Sequence, residues 1–149
     1  VAPARVVQAC IRYPPARGGA ETHVHALSTR LKARGHDVAV YTSDLKTEFP
    51  MEHLDQPFDL VDGVPVRRFP ARSLPGAMHY VTYPAMKPAI MEDKADIYHA
   101  HSYGYPHTHL AARAAERHGK PFVYTPHFHP PYSTTGGWSR KRLRGFYDT

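Results

Sequence analysis

One cysteine in 149 residues excludes any disulfide framework within the chain and makes a reducing, cytoplasmic compartment the expectation. That residue, Cys10, lies inside an apolar run and reads as core packing. No apolar run approaches the roughly eighteen residues that a membrane-spanning helix needs, and the opening residues lack the charged-then-apolar layout of a secretion signal. A soluble protein is therefore expected. The dinucleotide fingerprint G-x-G-x-x-G is missing, as is a P-loop ending in Gly-Lys-Ser/Thr, which disfavours a nicotinamide or simple nucleoside-triphosphate site. There is no internal repeat.

What is present is size enough for one domain with a core that needs no metal or cross-link. Residues 1–149 read as a single domain whose two ends, Val1 and Thr149, look like cuts in a longer chain. Acidic residues are in the minority: Lys and Arg number 19 against 13 Asp and Glu, a formal net charge of +6. That balance suits anionic partners such as phosphates, nucleotides or acidic lipid surfaces. Half of the excess falls in the last twenty residues, where Arg140, Lys141, Arg142 and Arg144 face only Asp148. A solvated helix face explains that cluster as well as a ligand does.

Residues 5–11 (RVVQACI) read as a first strand, ended by the turn-rich stretch Tyr13-Pro14-Pro15-Ala16-Arg17-Gly18-Gly19. From Ala20 the period becomes helical, with Ala20, Val24, Leu27 and Leu31 on one stripe and Gly35 as the stop. Residues 38–43 (VAVYTS) give a second strand and 64–69 (VPVRRF) a third. Between them, 44–63 is acidic, carries two prolines and reads as a surface excursion. Residues 70–94 are broken by four prolines and are expected to form short helical pieces. Residues 96–101 (DIYHAH) form a fourth strand, followed by a helix from Pro106 to Gly119 that packs through Leu110, Ala111, Ala114, Ala115 and His118. A fifth strand covers 122–127 (FVYTPH), and a loop leads to a terminal basic helix.

Strands that alternate with helices of about a dozen residues predict a doubly wound, Rossmann-like α/β fold with a parallel sheet, in the strand order 3-2-1-4-5. Ligands then bind at the carboxyl ends of the strands, where the order reverses between strands 1 and 4. The unusual residues fall there: Gly18 and Gly19 after strand 1, His101 and Tyr103 after strand 4, His127 and His129 after strand 5. Two glycines ahead of a helix leave N–H groups uncovered in the favourable field of its N-terminus, as a phosphate requires. They also serve plain turn geometry. Arg12 and Arg17 flank that loop and are candidates to steer a phosphate, while Glu21 reads as a helix-start anchor. Met78, Tyr80, Tyr83 and Met86 read equally as acceptor contacts or as packing.

The stretch Pro14-Pro15-Ala16-Arg17-Gly18-Gly19-Ala20-Glu21, then Leu27 with Leu31, then Arg34-Gly35-His36-Asp37-Val38, resembles glycosyltransferase family 4. Ala95-Asp96-Ile97-Tyr98-His99-Ala100-His101-Ser102 and Thr125-Pro126-His127 extend the resemblance in matching order. It implies the N-terminal, acceptor-side half of a GT-B fold, with the C-terminal nucleotide-sugar-binding domain outside this chain. It further implies metal-independent, retaining transfer of a sugar from a nucleotide-sugar, used as co-substrate and with no cofactor, to a sugar or lipid-linked acceptor. By the same resemblance Gly18 and Gly19 face the donor phosphates and His127 lies near the transferred sugar as the catalytic residue. Their positions beside the glycine loop and past the strand ends make Arg17, His101, Tyr103 and His129 the further candidates to bind the donor phosphates and substrate. Such a piece alone is expected to be inactive, and a lipid acceptor would bring peripheral contact with the inner membrane face.

Two other classes compete. His99 with His101, and His127 with His129, each share a strand face and invite a metal-dependent hydrolase, although no carboxylates converge on the same strand ends. A basic nucleic-acid-binding module fits the charge but lacks aromatic platforms and recognition motifs.

Overall fold

The computed structural model describes residues 1–127. In chain order its elements are β1 (Arg5–Ala9), α1 (Gly19–Ala33), β2 (Asp37–Ser43), β3 (Leu45–Glu48), β4 (Met51–His53), β5 (Phe58–Val61), β6 (Val64–Phe69), β7 (Arg72–Leu74), β8 (Ala77–Thr82), α2 (Met86–Glu92), β9 (Ile97–His101), α3 (Pro106–His118) and β10 (Phe122–Thr125). Six strands make one sheet in the order β10-β9-β1-β2-β6-β5. The first five of that order are parallel, and β5 joins the edge antiparallel to β6. This is a mixed α/β, Rossmann-like sheet dominated by parallel pairs. Among the described residues no helix is long and apolar enough to cross a membrane.

Successive side chains of a strand point to opposite faces, so the continuous apolar runs of β1 and β2 supply two cores at once. Val7, Ala9, Ala39 and Tyr41 pack with Ile90 of α2 and with Ala111 and Ala114 of α3. Val6, Cys10, Val38, Val40, Val64 and Val66 pack with Val24 of α1 on the other face. Tyr83 and Met86 are fully buried in the first of these cores, so both are packing residues. Cys10 is buried in the second, and burial pushes its thiol up to about 12. In α1 the buried stripe is Glu21, Val24 and Ser28. Leu27 and Leu31 of the expected stripe are only half-buried, because the helix is rolled to carry Glu21 inward.

Two segments differ from the sequence reading. The stretch 44–63 is not a plain surface excursion: it holds the β3–β4 hairpin and the edge strand β5. Val61 pairs with Val64 across a two-residue loop, Asp62-Gly63, in which both residues have positive φ (48° and 78°). Asp-Gly is the pair that such a hairpin turn demands, because only glycine and short polar residues tolerate that backbone. In 70–94 only α2 is helical, and β7 and β8 form a hairpin closed through Pro75 and Gly76. Proline breaks helices but opens turns readily: Pro70 and Pro75 directly follow strands and Pro84 lies between β8 and α2, while Pro88 sits in the first turn of α2, where a helix has no use for its missing N–H. The fifth strand stops at Thr125, two residues short of its expected end. The terminal basic helix lies outside the described residues.

An ionic clasp ties the amino ends of the strands. Arg5 of β1 donates to Asp93 through Nε (2.7 Å) and Nη2 (2.6 Å), and to Asp37 of β2 through Nη1 (2.6 Å). The Tyr41 hydroxyl also donates to Asp93 (2.8 Å), and the Arg5 backbone N–H donates to Asp96 (2.9 Å). Burial by itself would raise the Asp93 carboxyl, but the Arg5 guanidinium and the Tyr41 hydroxyl outweigh it and hold the group below the ordinary carboxylate range. A depressed carboxyl stabilises the fold above its unfolded pKa, and that contribution is lost as pH falls through its folded pKa. Asp93→Asn is expected to lower stability by about 2 kcal/mol at neutral pH, the scale of hydrogen bonds to a charged group. Urea unfolding at neutral and at acid pH measures this, and the deficit should shrink once pH falls below the ordinary carboxylate range, where the wild-type group protonates too.

Candidate functional site

β1, β9 and β10 run parallel, so their carboxyl ends share one edge, and the polar residues gather there. Gln8 of β1 sits opposite His99 of β9, and Thr125 of β10 opposite His101. His99 Nε2 is 2.8 Å from Thr125 Oγ1, and the His99 and His101 rings stand 4.0 Å apart. His101 is fully buried, and its Nε2–H donates to Gln8 Oε1 at 2.6 Å. With that proton fixed, Nδ1 of His101 carries the lone pair and faces His127 Nε2 at 3.2 Å. Removal from water, reinforced by the neighbouring imidazoles, pushes His101 down to about 2 and His99 down to about 4, so both are neutral at pH 7.

The backbone around this edge is held from below. His107 of α3 donates from Nε2 to the His101 carbonyl, and its Nδ1 accepts from the Tyr83 hydroxyl at 2.5 Å. Thr108 Oγ1 donates to the Ser102 carbonyl (3.0 Å), and the Ser102 N–H donates to the Thr125 carbonyl (2.9 Å). Ser102 at φ 75° and His127 at φ 45° occupy the left-handed region that costs a side-chain-bearing residue energy. Tyr103 lies half-buried in the turn between Ser102 and Gly104.

The glycine loop reaches the same edge through α1. Gly18 and Gly19 are exposed, and no side chain caps the helix start, which leaves its first N–H groups to water or a ligand. Arg17 is exposed and forms no ion pair among the described residues. Arg12 is instead tied to the buried carboxylate of Glu21 at 2.6 Å, with Glu48 of β3 at 3.8 Å. Arg68, buried in β6, donates to the Pro14 carbonyl (2.7 Å) and to Asp59 (2.9 Å), which fixes the loop to the sheet. His23, in the first turns of α1, closes the arrangement: its ring lies 5.1 Å from that of His127 and 5.8 Å from that of His101.

The structure thus brings His101 and His127 together, with Gly18 and Gly19 opening the helix that carries His23 to them. His129 lies outside the described residues. Of the four histidines weighed as metal ligands, His99 turns to Thr125; among the described residues the compact group is His23, His101 and His127, whose ligand atoms all lie within 4.8 Å of one another. Sequence reasoning passed over His23, Gln8, Arg68 and His107. For His23 a signal existed, since it follows the glycine pair by one helical turn. Gln8 lies inside an apolar strand run and Arg68 in a strand, and nothing local marks either as a support for the edge.

A parallel α/β sheet whose polar residues collect at its carboxyl edge, beside a glycine-opened helix, defines a Rossmann-like domain. The family model for glycosyltransferase family 4 matches residues 17–148, and the chain belongs to that family. Its function is therefore of the glycosyltransferase type. No curated protein matches the chain.

The two glycines are not equivalent. A Cβ on Gly18 would stand 2.1 Å from Glu21 Oε2, whereas one on Gly19 meets nothing within 4 Å. Gly18→Ala must displace the buried Glu21 carboxylate, whose other oxygen pairs with Arg12, and is expected to cost about 1 kcal/mol, the low end for overpacked sites. Gly19→Ala should be neutral or slightly stabilising, as alanine is in a first helical turn. Thermal unfolding of the two variants side by side measures the contrast.

Proposed function

We propose that this chain is the acceptor-side half of a metal-independent, retaining glycosyltransferase of GT-B architecture, working with a nucleotide-sugar-binding domain outside residues 1–149. The observation that carries the reading is the meeting of the α1 start with His127, through the 5.1 Å contact between the His23 and His127 rings. A donor diphosphate and the sugar it carries must be held by one rim, and here a free helix N-terminus and an imidazole share it.

In this reading the bond from the anomeric carbon to the diphosphate oxygen breaks as the acceptor hydroxyl oxygen bonds to that carbon on the same face, and the hydroxyl proton passes to the departing diphosphate oxygen. Negative charge grows on the leaving nucleoside diphosphate. Fixed N–H dipoles at Gly18 and Gly19 meet that charge without reorganising, and Arg17 adds a cation from the exposed side of the loop. His127, held toward His101 by its backbone turn, hydrogen-bonds a hydroxyl of the transferred sugar and keeps the ring in a reactive pose. The neutral His101, the half-buried Tyr103 and His129 are assigned to the same substrate cluster. The acceptor is a sugar or a lipid-linked sugar, and the net charge of +6 suits an anionic membrane face as the place where a lipid acceptor is met.

A donor screen on the enzyme with both domains, reading nucleoside diphosphate release, tests the assignment. One nucleotide-sugar should give release that depends on an acceptor. His127→Ala should then lower turnover at least about tenfold while the circular dichroism spectrum is retained. Turnover near the wild-type rate in that variant would remove His127 from the reaction.

A further inference from the structure

The transfer reading uses His127 and leaves His23 without a task. His23, His101 and His127 come from three elements that are remote in sequence: the first turns of α1, the end of β9 and the segment after β10. Their ligand atoms nevertheless lie within 4.8 Å of one another. Two ring nitrogens of the group, His101 Nδ1 and His127 Nε2, are 3.2 Å apart. Tetrahedral sites with metal–nitrogen bonds of about 2.0–2.1 Å set neighbouring ligand nitrogens about 3.3 Å apart, so this pair already stands at ligand spacing.

The surroundings fit the same use. A metal-bound imidazole normally donates its other ring N–H to a fixed acceptor, which sets the tautomer and aims the lone pair. Gln8 Oε1 does this for His101, from a side chain that is itself fully buried. His127, which faces His101, sits at φ 45°, a conformation that a side-chain-bearing residue adopts at a cost. Three imidazoles with no carboxylate among them are the donor set of Zn²⁺, Cu²⁺ and Ni²⁺, whereas Mg²⁺ and Ca²⁺ require oxygen ligands.

We propose that His23, His101 and His127 form a three-nitrogen site for a divalent transition cation of the Zn²⁺ class, with its fourth position open to solvent on the exposed His23 side. The site stands on geometry alone and does not need the transfer reading. Where both hold, a bound cation takes the His127 lone pair away from the sugar, so the cation acts as an inhibitor of transfer and not as its catalyst.

Titration of the purified chain with Co²⁺ tests the site without any activity assay, because tetrahedral Co²⁺ shows intense visible d–d bands. One equivalent should produce those bands, and Zn²⁺ should abolish them by displacement. His23 is exposed, so His23→Ala removes its ring contacts with His101 and His127 but no buried side chain; it should lose the tetrahedral bands and weaken Co²⁺ binding by roughly tenfold or more. His109→Ala, at an exposed position of α3, should bind as the wild type does. An absence of tetrahedral bands at one equivalent, or an affinity unchanged by His23→Ala, would overturn the proposal.

Discussion

In a parallel sheet all strand carboxyl ends emerge on one edge, and this chain depends on that constraint more than on any single contact. Because β9 is hydrogen-bonded to β1 on one side and β10 on the other, Gln8, His101 and the segment leading to His127 are delivered to one place. A slip of one residue in either pairing would turn His99 and His101 to the opposite face, into the apolar core around Tyr98 and Ala100. The apolar packing on the two faces therefore keeps the imidazoles in register as well as stabilising the fold.

The two edges of the sheet use opposite electrostatics. At the amino edge Arg5 gathers the carboxylates of Asp37 and Asp93, and charge is retained because each group has a partner. At the carboxyl edge charge is suppressed: His99, His101 and His107 are buried among uncharged partners, and burial lowers their basicity. Neutral imidazoles with oriented lone pairs suit hydrogen bonding to hydroxyls or binding of a borderline transition cation, and they do not repel a helix N-terminus that also favours anions. The cations near the glycine loop divide in the same manner. Arg12 is neutralised by Glu21 and Arg68 is spent on Asp59 and the Pro14 carbonyl, which leaves exposed Arg17 as the loop residue able to turn to an anion.

Where the sequence pattern was read well, local physics and tertiary packing agree. The apolar runs of β1 and β2, the switch to helical period after Gly19 and the Gly119 stop of α3 are each set by neighbours in the chain. The errors fall where a local cue has two meanings. Prolines in 70–94 break a helix and also frame a hairpin, and only the pairing of Ser73 with Val81 separates the two. Asp62-Gly63 is a hairpin signal set in a mainly acidic stretch without an apolar period, and only the pairing with β6 defines β5 as a strand.

The chain's own order of residues determined its fold class, its family and the short list of residues at strand ends, because period, turn chemistry and motif spacing are local and survive in one dimension. Partnership was decided only in three dimensions. Nothing in the sequence says that Gln8 holds the proton of His101, ninety-three residues away, or that His23 rather than His99 stands against His127. Those choices follow from strand register and from the roll of α1 over the sheet, and both are set by the packing of side chains far from the edge where the chemistry lies.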